Sequence, residues 1–247
     1  MRRFLPVRQI TRRSLIFVMF LLFPVLLNYM SPYLIIDGAF QGILSGSAVL
    51  FSLLFVSSLL VGRAWCGWLC PGGGLQDAAL FISDKKVSQK GNWIKWLVWV
   101  PWMAIIVFGF INAGGIRQVN VLHMNEKVVS LVEYNNYVIY YVVITLIFVL
   151  SLTVGSRAFC HYGCWMAPFI IIGRKLRNLA VWPSLRLRVS PENCADCKQC
   201  VRSCPMSLDV NAMVQAGQME HSECILCGNC VDTCQKSVIR YSFSAGK

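Results

Sequence analysis

Cys194-Ala-Asp-Cys197-Lys-Gln-Cys200-Val-Arg-Ser-Cys204-Pro205 is followed along the chain by Cys224-Ile-Leu-Cys227-Gly-Asn-Cys230-Val-Asp-Thr-Cys234. Both runs read Cys-x2-Cys-x2-Cys-x3-Cys, the spacing that holds [4Fe–4S] cubanes in two-cluster iron–sulfur proteins. Each iron at a corner of the cube takes one terminal thiolate. Three cysteines two residues apart wrap one side of the cube, and the fourth ligand comes from the other run. The rule pairs Cys194, Cys197 and Cys200 with Cys234, and Cys224, Cys227 and Cys230 with Cys204. Zinc sites use well-separated Cys-x2-Cys pairs with four ligands per ion, which two four-cysteine runs match poorly. Disulfide frameworks suit small secreted domains, not a long chain with an apolar half. Gln235 stands where the second run would carry a proline, a position that is not a ligand.

Outward from these runs, the composition changes. Of the 247 residues 56% are hydrophobic and 14% charged, with a mean hydropathy of +0.58, more apolar than a typical soluble domain. Four stretches, 14–36, 43–61, 93–113 and 137–155, reach the roughly 20 apolar residues that a bilayer crossing needs. Pro24 and Pro101 interrupt two of them, which neighbouring helices in a membrane can tolerate. No small-x-small cleavage site follows the first stretch, so a cleaved signal peptide is not expected. The expected fold is an all-α membrane bundle of four transmembrane helices with a C-terminal α+β two-cluster ferredoxin domain. The expected boundaries are a membrane domain over 1–165, an interfacial helix or linker over 166–189, and the cluster domain over 190–247.

Charge supplies an orientation. Arg2, Arg3, Arg8, Arg12 and Arg13 precede the first stretch; Arg63, Lys85, Lys86 and Lys90 separate the second and third. Arg157, Arg174, Lys175, Arg177, Arg186 and Arg188 follow the fourth, and only Arg117 and Lys127 lie on the other side. Lys and Arg favour the cytoplasmic side. Both termini and the cluster domain are therefore expected at the cytoplasmic face of an inner membrane, in contact with lipid. The net charge of +12 reads as a topology signal rather than a nucleic-acid footprint.

The apolar half carries an internal repeat. Arg63-Ala-Trp-Cys66-Gly-Trp-Leu-Cys70-Pro71 follows the second stretch, and Arg157-Ala-Phe-Cys160-His161-Tyr-Gly-Cys164-Trp165 follows the fourth. Each is Arg-Ala-aromatic-Cys-x3-Cys. Buried cysteine is a common small hydrophobe, but repetition in matched contexts makes Cys66, Cys70, Cys160 and Cys164 a candidate third site for a metal, a cluster or a redox dithiol. The arginine before each pair favours thiolate.

These elements together resemble the NapH-type quinol dehydrogenase membrane subunits, within the wider NapH/NosR/CcoG-type family. The resemblance covers nearly the whole chain and is most specific at Gly62-Arg-Ala-Trp-Cys66-Gly-Trp-Leu-Cys70-Pro71. It implies a membrane electron-transfer subunit that exchanges electrons between a quinone pool or membrane redox partner and another protein of a complex. It also implies that the eight cysteines of the two runs are cluster ligands. The second Cys-x3-Cys departs from the family pattern, since Trp165 follows Cys164 and proline appears only at Pro168.

A different class of function, reduction or delivery of copper during maturation of a membrane oxidoreductase, is suggested by the four repeat cysteines, since soft thiolates suit Cu(I). There is no Cys-x-x-Cys-His for c-type haem, no nucleotide loop, and no histidine inside a span to ligate a haem b. His123, Asp37 and Glu133 are candidates to meet quinone or its protons, with ordinary loop roles the commoner case.

Overall fold

The computed structural model describes residues 6–124 and 134–246. Arg2, Arg3, Lys127 and Glu133 lie outside the described residues. The chain opens with α1 (Val7–Leu21), a short α2 (Phe23–Leu26) and α3 (Pro32–Gln41). Pro32 opens α3 at its first turn, and Gly42 closes it in the left-handed conformation at φ 70°. After β1 (Ile43–Ser45), the Ser45 hydroxyl caps α4 (Gly46–Val61) by accepting from the Ala48 amide. Two short helices carry the first repeat element, α5 (Ala64–Trp68) and α6 (Pro71–Ala79). Next come α7 (Ile94–Asn112), β2 (Gln118–Asn120) and α8 (Tyr134–Thr153). The second repeat element occupies α9 (Ala158–Tyr162) and the start of α10 (Ala167–Leu179). The C-terminal part contains β3 (Ser184–Val189), α11 (Gln199–Arg202), α12 (Val210–Gln215), α13 (Asn229–Thr233) and β4 (Ile239–Ser244).

The expected all-α bundle of four membrane spans is overturned. Among the described residues, two helical stretches are long and apolar enough to cross a membrane, Gln89–Asn112 and Asn136–Thr153. The first expected span is broken into α1, α2 and α3 around Pro24 and Pro32. The second is cut to the 16 residues of α4, about 24 Å of helix, by the capping serine and by Gly62 at φ 57°. Two small sheets also stand where none were expected in the apolar half or were left unspecified. β1 pairs parallel with β2, and β3 pairs antiparallel with β4 from Ser184↔Ser244 to Val189↔Ile239.

Both long helices expose apolar side chains, among them Leu97, Val100, Phe108 and Ile111 on α7 and Val138, Val142 and Leu146 on α8. The opposite faces join one continuous buried core. It runs from Phe23, Phe51 and Trp102 through Cys66, Cys160 and Ile170 to Met206, Ile225 and Ile239. Helix α10, expected at the membrane interface, packs along α4 so closely that a Cβ at Gly173 would overlap Ser58. The cluster-bearing segment is therefore part of the same packed body as the apolar half.

Candidate functional site

The eight cysteines of the two runs separate into two sets of four. Cys194, Cys197, Cys200 and Cys234 line one cavity of about 110 Å³. Cys204, Cys224, Cys227 and Cys230 line another, among Leu187, Met206, Leu208 and Ile225. Backbone geometry repeats between them. The residues on either side of the middle cysteine are left-handed in both loops: Asp196 and Lys198 in the first, Leu226 and Gly228 in the second. Three residues beyond each fourth cysteine, Ser207 (φ 52°) and Ser237 (φ 51°) close matching turns, their amides bonding to the Cys204 and Cys234 carbonyls at 3.2 and 3.1 Å. Gly228 is needed in its loop, because a Cβ there would meet the Tyr241 hydroxyl at 2.8 Å.

The environments differ. Cys197 is exposed and Cys194, Cys200 and Cys234 are half-buried, whereas Cys204, Cys227 and Cys230 are buried. Burial pushes the Cys227 thiol up to about 12, so a metal centre there must displace a proton that water would not take. Four soft donors around each cavity, on loops bent tightly enough to wrap it, fit a cubane.

The buried set rests on the first repeat element. Trp68 Nε1 donates to the Leu226 carbonyl at 3.0 Å, and Tyr241 donates to the same oxygen at 2.7 Å. Gln9 Nε2 donates to the Cys227 carbonyl at 3.0 Å and to Asp232 at 2.6 Å. Gly67 sits directly against the Ile225 carbonyl and 3.5 Å, measured from an added Cβ, from the Cys227 Cα. Around this junction lies a group of buried charges. Glu223 bonds Arg63 and Lys95, each at 2.7 Å. Asp77 bonds Arg12 at 2.8 Å and Arg157 at 2.7 Å, and Arg157 also donates to the Cys66 carbonyl at 2.8 Å. Burial alone would raise the Glu223 carboxyl, but the Arg63 and Lys95 cations prevail and hold it down at about 2.

Several arginines read from sequence as topology signals are thus docking residues. Arg12, Arg63, Arg157, Arg174, Arg177 and Arg186 are all buried, and the last three converge on Glu220. Arg174 also donates to the His221 carbonyl. Glu223, Asp77, Gln9 and Lys95 were not singled out from the sequence. Only the position of Glu223 immediately before Cys224 offered a signal.

The four repeat cysteines come together from the two halves, and all are buried. Cys70, Cys160 and Cys164 line the floor of a cavity of about 370 Å³, walled by Phe23, Leu27, Met30, Ile139, Val143 and Trp165. Gln76 donates to the Cys160 sulfur at 3.1 Å. Among the described residues no three His, Cys, Asp or Glu side chains lie close enough to hold a single metal ion. His161 bonds Asn92 at 2.7 Å, and burial lowers its pKa to about 3. His123 bonds Asp37 at 2.7 Å.

The crossed ligand sets make a prediction. Cys234→Ser and Cys204→Ser should each cost about four irons, but leave different clusters behind. The cluster remaining in Cys234→Ser lies in the buried set and should react slowly with ferricyanide. The one remaining in Cys204→Ser, beside exposed Cys197, should react fast. Ligation within each run would reverse the two results.

Comparison with known proteins bears on these sites. A family described as a 4Fe-4S binding domain matches residues 44–88 and 136–178, each containing one Cys-x3-Cys. A second, a 4Fe-4S dicluster domain, matches residues 174–246. An uncharacterized protein of Methanocaldococcus jannaschii is 26% identical over 79% of this chain and 78% of its own length. YccM of Escherichia coli, whose name makes it a candidate electron transport protein, is 24% identical over 82% of this chain and 57% of its own. The methylamine utilization ferredoxin-type protein MauN of Paracoccus denitrificans is 26% identical over 83% and 70%. No solved structure matches the chain. The cofactor class is iron–sulfur and the role electron transfer. With 4Fe-4S matches over both repeat elements and the paired cysteine runs, and relatives of the ferredoxin type along most of its length, the chain is an iron–sulfur protein similar to the NapH-like ferredoxin-type electron-transfer proteins.

Proposed function

We propose that the chain is a membrane-anchored subunit carrying electrons between the quinone pool and a partner protein. Clusters bound by the two sets of four ferredoxin cysteines would supply reversible one-electron transfer. The carrying observation is the order of the sites. An apolar cavity between α3 and α8 has Cys70, Cys160 and Cys164 at its floor. The first repeat element then abuts the loop of the buried cysteine set through Gly67 and Trp68. The other set ends at exposed Cys197.

The chain's own residues divide the work. Phe23, Leu27, Ile139 and Val143 give the cavity walls that accept an apolar ring and exclude water. Met206, Ile225 and Leu226 keep water from the buried set. Exposed Cys197, flanked by Asp196 and Lys198, marks the face where a partner protein would approach. The exposed apolar sides of α7 and α8 supply the anchor. Those two helices would form one excursion through the bilayer and back, which puts the cluster domain on the side of the exposed Lys85, Lys86, Lys90 and Lys175, the charge that favours the cytoplasmic face.

The test is reduction of anaerobically purified protein by a water-soluble quinol, followed as bleaching of the visible cluster absorbance. Val143→Trp, which fills the cavity, is expected to slow quinol-driven bleaching at least about tenfold, a loss of at least about 1.4 kcal/mol in transition-state binding. Iron content and dithionite reduction should stay unchanged. Failure of quinol to reduce the parent protein, or an equal rate in Val143→Trp, would overturn the quinone assignment.

A further inference from the structure

We infer that the groove between α1 and α6 binds an anionic phospholipid, with the phosphate on Arg13 and an acyl chain along Phe17 and Leu21. The inference rests on the reading of the chain as membrane-anchored and does not depend on the quinone assignment.

The groove holds about 520 Å³. At its base α1 and α6 approach so closely that a Cβ at Gly74 would meet the Ile16 carbonyl at 2.7 Å. Phe17, Leu80 and Phe81 give it apolar walls, and Pro205 and Asn229 of the cluster domain also border it. A molecule seated there touches both parts of the protein.

Charge makes the groove a site for an anion. Arg12, Arg13 and Asp77 line it. Asp77 already bonds two guanidiniums, Arg12 at 2.8 Å and Arg157 at 2.7 Å. Arg13 is exposed, and no acid among the described residues pairs with it. Three guanidiniums therefore share one carboxylate, and the third faces the groove unpaired. The planar fork of an arginine matches two oxygens of a phosphate with charge-assisted hydrogen bonds. Ser14, also in the lining, adds a hydroxyl.

The level of the groove selects a lipid over a soluble anion. Lys85 Nζ donates at 2.7 Å to the carbonyl of Thr153, the last residue of α8, and the Ser156 amide donates at 2.7 Å to the Lys85 carbonyl. The segment after α6 is thereby fastened at the end of an apolar helix, where hydrocarbon gives way to headgroups. In that segment Phe81 and Ile82 are 83% and 70% exposed, a cost in water that insertion at such a boundary removes. On α1, Arg13, Phe17 and Leu21 follow at intervals of four and so form one stripe, its two apolar members both exposed. A cation at the head of an apolar stripe matches a lipid phosphate above its chain.

The experiment follows heat-induced loss of the visible cluster absorbance in the full chain, purified anaerobically in a zwitterionic detergent and titrated with dioctanoyl phosphatidylglycerol. A ligand of the folded state raises the midpoint of that loss. Phosphatidylglycerol is expected to raise it, and phosphatidylcholine at the same concentration is not. Arg13→Gln should need at least about fivefold more phosphatidylglycerol for the same rise. Phe17→Ser should also weaken the response, because the chain loses its wall. Arg240→Gln removes the same charge from exposed β4 and should match the parent protein. Equal protection by phosphatidylcholine would overturn the anionic site. Equal losses in Arg13→Gln and Arg240→Gln would overturn the groove as its place, leaving only a general surface charge. Protection by inorganic phosphate as strong as that by the lipid would overturn the lipid in favour of a soluble anion. A protein that stays monodisperse without detergent and ignores vesicles of either lipid would overturn the membrane reading itself.

Discussion

Glu223→Gln is expected to lower the stability of the protein by about 3–5 kcal/mol, the cost of stripping one partner from a buried ion pair. Glu223 is 2% exposed, and the two cations it bonds, Arg63 and Lys95, are both 0% exposed. Glutamine keeps the shape of the side chain and removes its charge. It leaves two cations facing each other without a counter-ion in a medium of low dielectric. The loss should spread, because the carboxylate joins distant elements. Arg63 precedes the first repeat element, Lys95 lies on α7, and Glu223 leads into the buried cysteine loop. The measurement is chemical unfolding of detergent-solubilised protein, together with limited proteolysis at the segment between α10 and β3. Adding Lys95→Met to Glu223→Gln should recover part of the loss by removing one stranded charge. Unchanged unfolding in Glu223→Gln would show that the triad contributes nothing to holding the two parts together.

That triad also shows where sequence reading stops. The expected ligand grouping comes from spacing, because a cubane imposes a local rule on neighbouring cysteines. The same is true of the repeat, which announces itself as Arg-Ala-aromatic-Cys-x3-Cys. Ion pairs carry no such rule. Arg63 and Glu223 are 160 positions apart, and Gln9 and Asp232 are 223 apart. Positive charge near apolar stretches has two causes, membrane orientation and docking onto an acidic neighbour, and composition does not separate them. Hydropathy misled in a related way. It counted apolar residues across Pro24 and Pro32 without registering that the backbone does not continue as one helix through them. Each of α1 and α4 buries only one side, with Ile16 inward on α1 and Phe51 and Leu54 on α4, while Phe17, Val18, Leu53 and Val56 face outward, and a sliding window does not separate the two sides.

The repeat is symmetric in its cysteines and unequal between them, and the inequality falls at Gly67. Its counterpart in the second half is His161, which is buried and bonded to Asn92. In the first half a side chain at that position would strike the Ile225 carbonyl, with the Cys227 Cα at ordinary contact distance behind it. The carbonyl cannot swing away, since it is backbone. The loop is pinned from three sides by Trp68 and Tyr241 on the Leu226 carbonyl and Gln9 on the Cys227 carbonyl. Gly67→Ala is therefore expected to cost about 1–3 kcal/mol of stability by overpacking. It should also slow quinol-driven reduction of the ferredoxin clusters while leaving direct reduction by dithionite unaffected. The control is Gly72→Ala, where an added Cβ meets only Ile147 Cδ1, at 3.6 Å, and stability should change by less than about 1 kcal/mol. Equal behaviour of the two variants in unfolding and in quinol kinetics would mean that the first repeat element does not seat the buried cluster loop. A defect confined to Gly67→Ala would mark this glycine as the place where a duplicated half gave up its symmetry to let the cluster domain's backbone come into contact.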